Sequence, residues 1–67
     1  MIGIGSFIRH KAKDIVGRVY REGPYGFEII SHDNIPLGLN FDYLQKHWVE
    51  CSEDHYRKSQ ILWKLKQ

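Results

Sequence analysis

The sequence predicts a small, mainly β domain: five short strands bent into a barrel, then a C-terminal extension of helical or strand character. Three observations carry this. Ile2-Gly3-Ile4-Gly5-Ser6-Phe7-Ile8-Arg9-His10 and Asp14-Ile15-Val16-Gly17-Arg18-Val19-Tyr20 are β-branched runs separated by a polar loop, with Gly17 inside the second. Turn-forming clusters recur at Glu22-Gly23-Pro24-Tyr25-Gly26 and His32-Asp33-Asn34. The chain of 67 residues has room for one domain only.

Ser6 to His10 forms the first strand, with Phe7 on one side and Ile8 and His10 on the other. Lys11-Ala12-Lys13 is a loop. Asp14 to Arg21 is the second strand, with Ile15, Gly17, Val19 and Arg21 on one face and Val16, Arg18 and Tyr20 on the other. Both faces are partly apolar, as in a strand that bends across a barrel corner. Gly17 is the natural bend point, because glycine inside a strand marks a bulge or a close backbone approach. Phe27 to Ser31 is the third strand, and Asn34 in the turn after it tolerates left-handed backbone. Ile35 to Phe41 is the fourth; Pro36 has no N–H for a ladder bond, so this strand starts at an edge.

Asp42 to Lys46 reads as a single 3-10 turn, with Asn40 or Asp42 as its cap. His47 to Cys51 closes the barrel. The barrel is thus expected over residues 1–51 and the extension over 52–67. In the extension, Ser52 is a capping residue and Glu53 and Asp54 suit the positive end of a helix dipole, while Lys64 and Lys66 suit the other end. Ile61, Trp63 and Leu65 alternate with Leu62, Lys64 and Lys66, which is strand periodicity. Helix is favoured. In either form Trp63 needs cover from the barrel or from a partner chain.

A core this small is marginal without help, and self-association is one source of extra burial. The single cysteine allows no internal disulfide and no CxxC pair. No apolar run approaches the roughly 20 residues of a membrane span. Arg9 and His10 interrupt the N-terminus too early for a signal peptide, so a cytoplasmic protein with no membrane contact is expected. The net charge of +2 conceals a basic–acidic–basic pattern. Arg9, Lys11, Lys13, Arg18 and Arg21 dominate the start, acids dominate from Glu22 to Asp54, and Arg57, Lys58, Lys64 and Lys66 end the chain. Such polarity suits an anionic partner, self-pairing, or simply a solvated surface.

Gly5-Ser6-Phe7-Ile8-Arg9, Asp14-Ile15-Val16-Gly17-Arg18-Val19 and the late leucine-containing turn resemble the SH3-like barrel pattern over residues 3–51. The pattern recurs in KOW and Tudor-type modules, in the small accessory subunits of photosystem I and ferredoxin–thioredoxin reductase, and in type II dihydrofolate reductases. These families bind unlike things, so the resemblance implies a fold without a chemistry. The reductases line a tetrameric pore with a Val-Gln-Ile-Tyr segment. This chain has Leu37-Gly38-Leu39-Asn40-Phe41 there, so none of those residues carries over. Tudor modules cage a methylated cation with aromatics. Tyr20, Tyr25, Phe27, Phe41 and Tyr43 are the available rings here, although rings in so small a barrel commonly serve its packing.

Enzymatic chemistry has weak support. No nucleophile elbow or phosphate-binding glycine loop is present, and Gly3-Ile4-Gly5 precedes a strand instead of opening a helix. His47, Cys51 and His55 share helical spacing, but Cys51 lies in a strand, so no metal site and no cofactor is expected. Two binding readings remain. In the first, a non-catalytic adaptor docks to a protein partner or to itself through Tyr20, Tyr25, Tyr43 and Trp63. Small docking proteins of this kind are common among phage and mobile-element products, by analogy only. In the second, Arg9, Lys11, Lys13, Arg18 and Arg21 form a basic face for nucleic acid. An oligomeric pore-type reductase is the distant third reading.

Overall fold

The computed structural model describes residues 1–67. Strands β1 (Phe7–His10), β2 (Val16–Glu22), β3 (Gly26–Ser31) and β4 (Pro36–Asn40) precede helix α1 (Phe41–His47), strand β5 (Trp48–Cys51) and helix α2 (Glu53–Leu65). The five strands pair antiparallel in the order β4-β3-β2-β1-β5 and curl into a half-barrel. The mainly β, five-stranded architecture predicted from the sequence is what forms. Strands β4 and β5 are the two edges, and α1 runs from one to the other.

Side chains alternate across each strand, so register decides what is inside. Ile8 faces Gly17, Val19 faces Ile29, and Phe27 faces Leu39. These inward positions, with Leu44 from α1 and Trp48 from β5, make one core against which Ile2, Ile15 and Leu37 pack. Full burial of each aliphatic side chain, as at Ile8, Val19 and Ile29, contributes about 1.5–3 kcal/mol.

Three details differ from the sequence reading. The segment before β5 is not a single 3-10 turn but a seven-residue α-helix. Asn40 caps it, its Oδ1 accepting the Tyr43 N–H at 2.7 Å; Asp42 lies in the first turn and Lys46 and His47 in the last. His47 therefore ends the helix instead of starting β5. The irregularity in β2 lies between Val19 and Arg21 and not at Gly17, which stays in register with both Ile8 and Ser31. Gly17 is needed for space instead: a Cβ there would meet Ile29 Cδ1 at 2.6 Å. The bulge also resets the alternation beyond it. Arg21 pairs with Glu28 on the outer face, beside Tyr20, instead of sharing the inner face with Val19.

The extension is a helix, capped by Ser52, whose Oγ accepts the His55 N–H at 3.1 Å. The strand alternation at Ile61–Lys66 does not prevail, because the capping serine, first-turn acids and terminal lysine all favour helix. The helix lies on the outer face of β1 and β2 through its first turns. Tyr56 is buried there, its ring 5.2 Å from that of Phe7 and its hydroxyl donating to the Ile30 carbonyl at 3.4 Å. This explains why β2 is apolar on both faces: Val16, opposite Arg9 on the outer side, is buried beside the start of α2, where it shares a cleft with His55. No helix is long and apolar enough to cross a membrane.

Candidate functional site

Where α1 meets β1 and β5, four rings gather. His10 is buried on the inner face of β1, with Trp48 edge-on at 5.3 Å, His47 stacked at 6.0 Å and Tyr43 at 6.3 Å. Tyr43 and His47 themselves lie 4.6 Å apart, one helical turn separating them on α1. His10 Nδ1 accepts the backbone N–H groups of Ala12 and Lys13, each at 3.0 Å. That nitrogen carries a lone pair, so the neutral ring holds its proton on Nε2 and donates to Tyr43 Oη at 3.3 Å. Burial holds the His10 pKa below the ordinary imidazole value, and Lys13 and His47 push it the same way. His10 thus acts as the internal strut of the β1–β2 loop.

Trp48 completes the cluster. Its backbone N–H caps α1 on the Leu44 carbonyl, and the residue is 4% exposed. Its indole Nε1–H is buried with no acceptor. A buried unpartnered donor costs about 1–3 kcal/mol. Beside it a groove of about 370 Å³ opens between β4, α1 and the β1–β2 loop, lined by residues that include Lys13, Leu37, Asn40 and Tyr43.

The four aromatics singled out for protein binding lie on different parts of the molecule. Tyr43 belongs to this groove. Tyr20 lies on the outer face at the bulge, donating to Glu28 Oε2 at 3.2 Å; burial, then Glu28, raises its pKa. Tyr25 stands in the β2–β3 turn, 81% exposed, and Trp63 is half-buried on α2. Around Trp63 the helix is bare: Ile61, Leu62 and Leu65 are 58%, 59% and 76% exposed.

The basic residues are similarly dispersed. Lys11 and Lys13 sit in the β1–β2 loop, and Arg21 lies further along β2, its guanidinium 3.8 Å from Glu28. Arg9 and Arg18 occupy the outer face that α2 also uses, and Arg18 shares a cleft with Tyr56 and Arg57. The sequence names Asn40 only as a candidate helix cap and does not mark His10 or Trp48 as site residues. Their signals were present only as an apolar-face histidine, a tryptophan next to a helix end and a capping residue.

No three His, Cys, Asp or Glu side chains converge in metal-binding geometry. Burial raises the Cys51 thiol pKa, with Arg9 opposing, which disfavours the nucleophilic thiolate. Comparison with protein-family models, with curated proteins and with solved structures finds no match to this chain.

Proposed function

We propose that this chain is a non-catalytic docking module, an SH3-like half-barrel that binds a protein partner or a second copy of itself through its C-terminal helix. The observation that carries this reading is the uncovered apolar end of α2. Ile61, Leu62 and Leu65 are all largely exposed, and the molecule is elongated, 36 × 19 × 17 Å. Thirteen helical residues extend about 20 Å; Tyr56 is the one fully buried residue among them and Ser59, Gln60 and Trp63 are half-buried, while Ile61, Leu62 and Leu65 face away uncovered. Contiguous exposed apolar side chains at i, i+1 and i+4 are normal at interaction surfaces and a solubility liability elsewhere. The strand order and the short helix before β5 are consistent with the SH3-like resemblance.

A nucleic-acid reading has its own observation. Arg9, Lys11, Lys13 and Arg18 form no ion pair, whereas Arg21, Arg57 and Lys58 do. Sedimentation of the purified chain separates the readings. Association that persists at high salt and is lost in Leu62→Glu/Leu65→Glu supports docking through α2. A monomer that co-sediments with a mixed oligonucleotide at low salt, and no longer does so in Lys11→Glu/Lys13→Glu, supports nucleic acid instead.

A further inference from the structure

The groove between β4, α1 and the β1–β2 loop has a one-sided chemistry. Its apolar lining comes from Ile15, Leu37 and Leu39. Its polar side chains offer donors, and the acceptors among them each already receive at least one hydrogen bond. Asn40 Oδ1 is taken by the Tyr43 N–H, which leaves the amide nitrogen to donate. Tyr43 Oη receives the His10 Nε2 proton, which leaves its own hydroxyl proton free. Trp48 Nε1–H is buried without an acceptor. Lys13 is exposed at the rim and forms no ion pair. Uncharged donors, one free cation and an apolar wall together call for a monoanion with acceptor oxygens and a greasy body.

We propose that this groove binds a small organic carboxylate bearing an aromatic or branched apolar group. The apolar group lies along Ile15, Leu37 and Leu39, and the carboxylate pairs with Lys13 and draws on the neighbouring donors. The volume of about 370 Å³ falls at the small end of ordinary ligand pockets. The site is separate from the α2 surface and stands or falls independently of the docking reading.

The test is an NMR titration of the full chain with 3-phenylpropanoate, run beside 3-phenylpropanamide, which has the same body without the charge. The Trp48 indole N–H signal, told apart from that of Trp63 by Trp63→Phe, is expected to shift saturably with the acid. The amide is expected to bind roughly tenfold more weakly or worse, through loss of a charge-assisted hydrogen bond. Lys13→Gln, in an exposed loop, is expected to weaken the acid by a similar factor while the remaining spectrum shows an intact fold. Tyr43→Phe is the second variant, removing one donor without changing the ring. Equal binding of acid and amide, or a Trp48 signal that stays fixed throughout, overturns the proposal. Short peptides ending in Phe, with free or amidated C-termini, identify the source. Tighter binding of the free-ended peptide than of 3-phenylpropanoate marks a protein C-terminus as the natural ligand, and weaker binding marks a free small acid.

Discussion

A Cβ on Gly26 would overlap the Leu39 carbonyl oxygen and lie 2.6 Å from the Asn40 Cα, both backbone atoms of the paired strand, so nothing can rotate away. Gly26→Ala is therefore expected to destabilise the domain by about 3 kcal/mol or more, read from urea unfolding. Gly17→Ala is expected to be milder, because the nearest obstacle is the Ile29 Cδ1, the end of a side chain that can change rotamer. Equal, small effects at both positions would mean the β3–β4 register is wrong. His10 yields a pH dependence. Its folded pKa lies below that of the unfolded chain, so the unfolded state takes up a proton first. The stabilisation is complete above about 6.5 and declines as pH falls through that value towards the folded pKa. Thermal melts between pH 7.5 and 5 are expected to show a falling Tm. In His10→Asn, which keeps an acceptor near Nδ1 but does not titrate, the slope is expected to flatten; an unchanged slope would place the dependence on another histidine.

The two helices divide between fold and surface. Tyr56 joins α2 to Phe7 and to the Ile30 carbonyl, so Tyr56→Ala is expected to cost about 3 kcal/mol, comparable with other buried aromatics. Trp63→Ala is expected to change monomer stability by less than about 1 kcal/mol, as for a partly exposed side chain. If the two measured losses were alike, the outer half of α2 would be part of the fold. At α1, Asn40→Ala is expected to cost about 1 kcal/mol through loss of the cap. The strands were legible in the sequence because alternation at Phe7–His10 and breakers at Gly23-Pro24 and Asp33-Asn34 are local signals. Asn34 indeed adopts a φ of 64°. The bulge at Tyr20 was not legible, since nothing local marks it: it shows only in the register of β2 against β3, and it moved Arg21 to the outer face. The gathering of His10, Tyr43, His47 and Trp48 was hidden for the same reason. His10 and Trp48 meet only because β1 pairs with β5.

Taken together, the molecule is a small inner core with a helix set against its back, and the exposed chemistry sits at opposite kinds of surface. Lys64 lies within the apolar end of α2 and Lys66 just after it, neither in an ion pair, while Glu53 and Asp54 are already held by Arg57 and Lys58. The basic–acidic–basic pattern of the sequence is thus partly neutralised within the molecule, at Arg21–Glu28 and along α2. What remains unneutralised is spread over the β1–β2 loop and the outer face, and the most exposed apolar side chains of either helix lie at the end of α2. Docking by burial predicts association that salt does not weaken, whereas phosphate contacts would weaken steeply with salt. Sedimentation velocity over a range of concentrations, at low and physiological salt, with and without an oligonucleotide, tests this most directly. With a second copy as the partner, the docking reading predicts a sedimentation coefficient that rises with concentration at both salts and returns to the monomer value in Leu62→Glu/Leu65→Glu. A monomer at every concentration that binds the oligonucleotide only at low salt would contradict it.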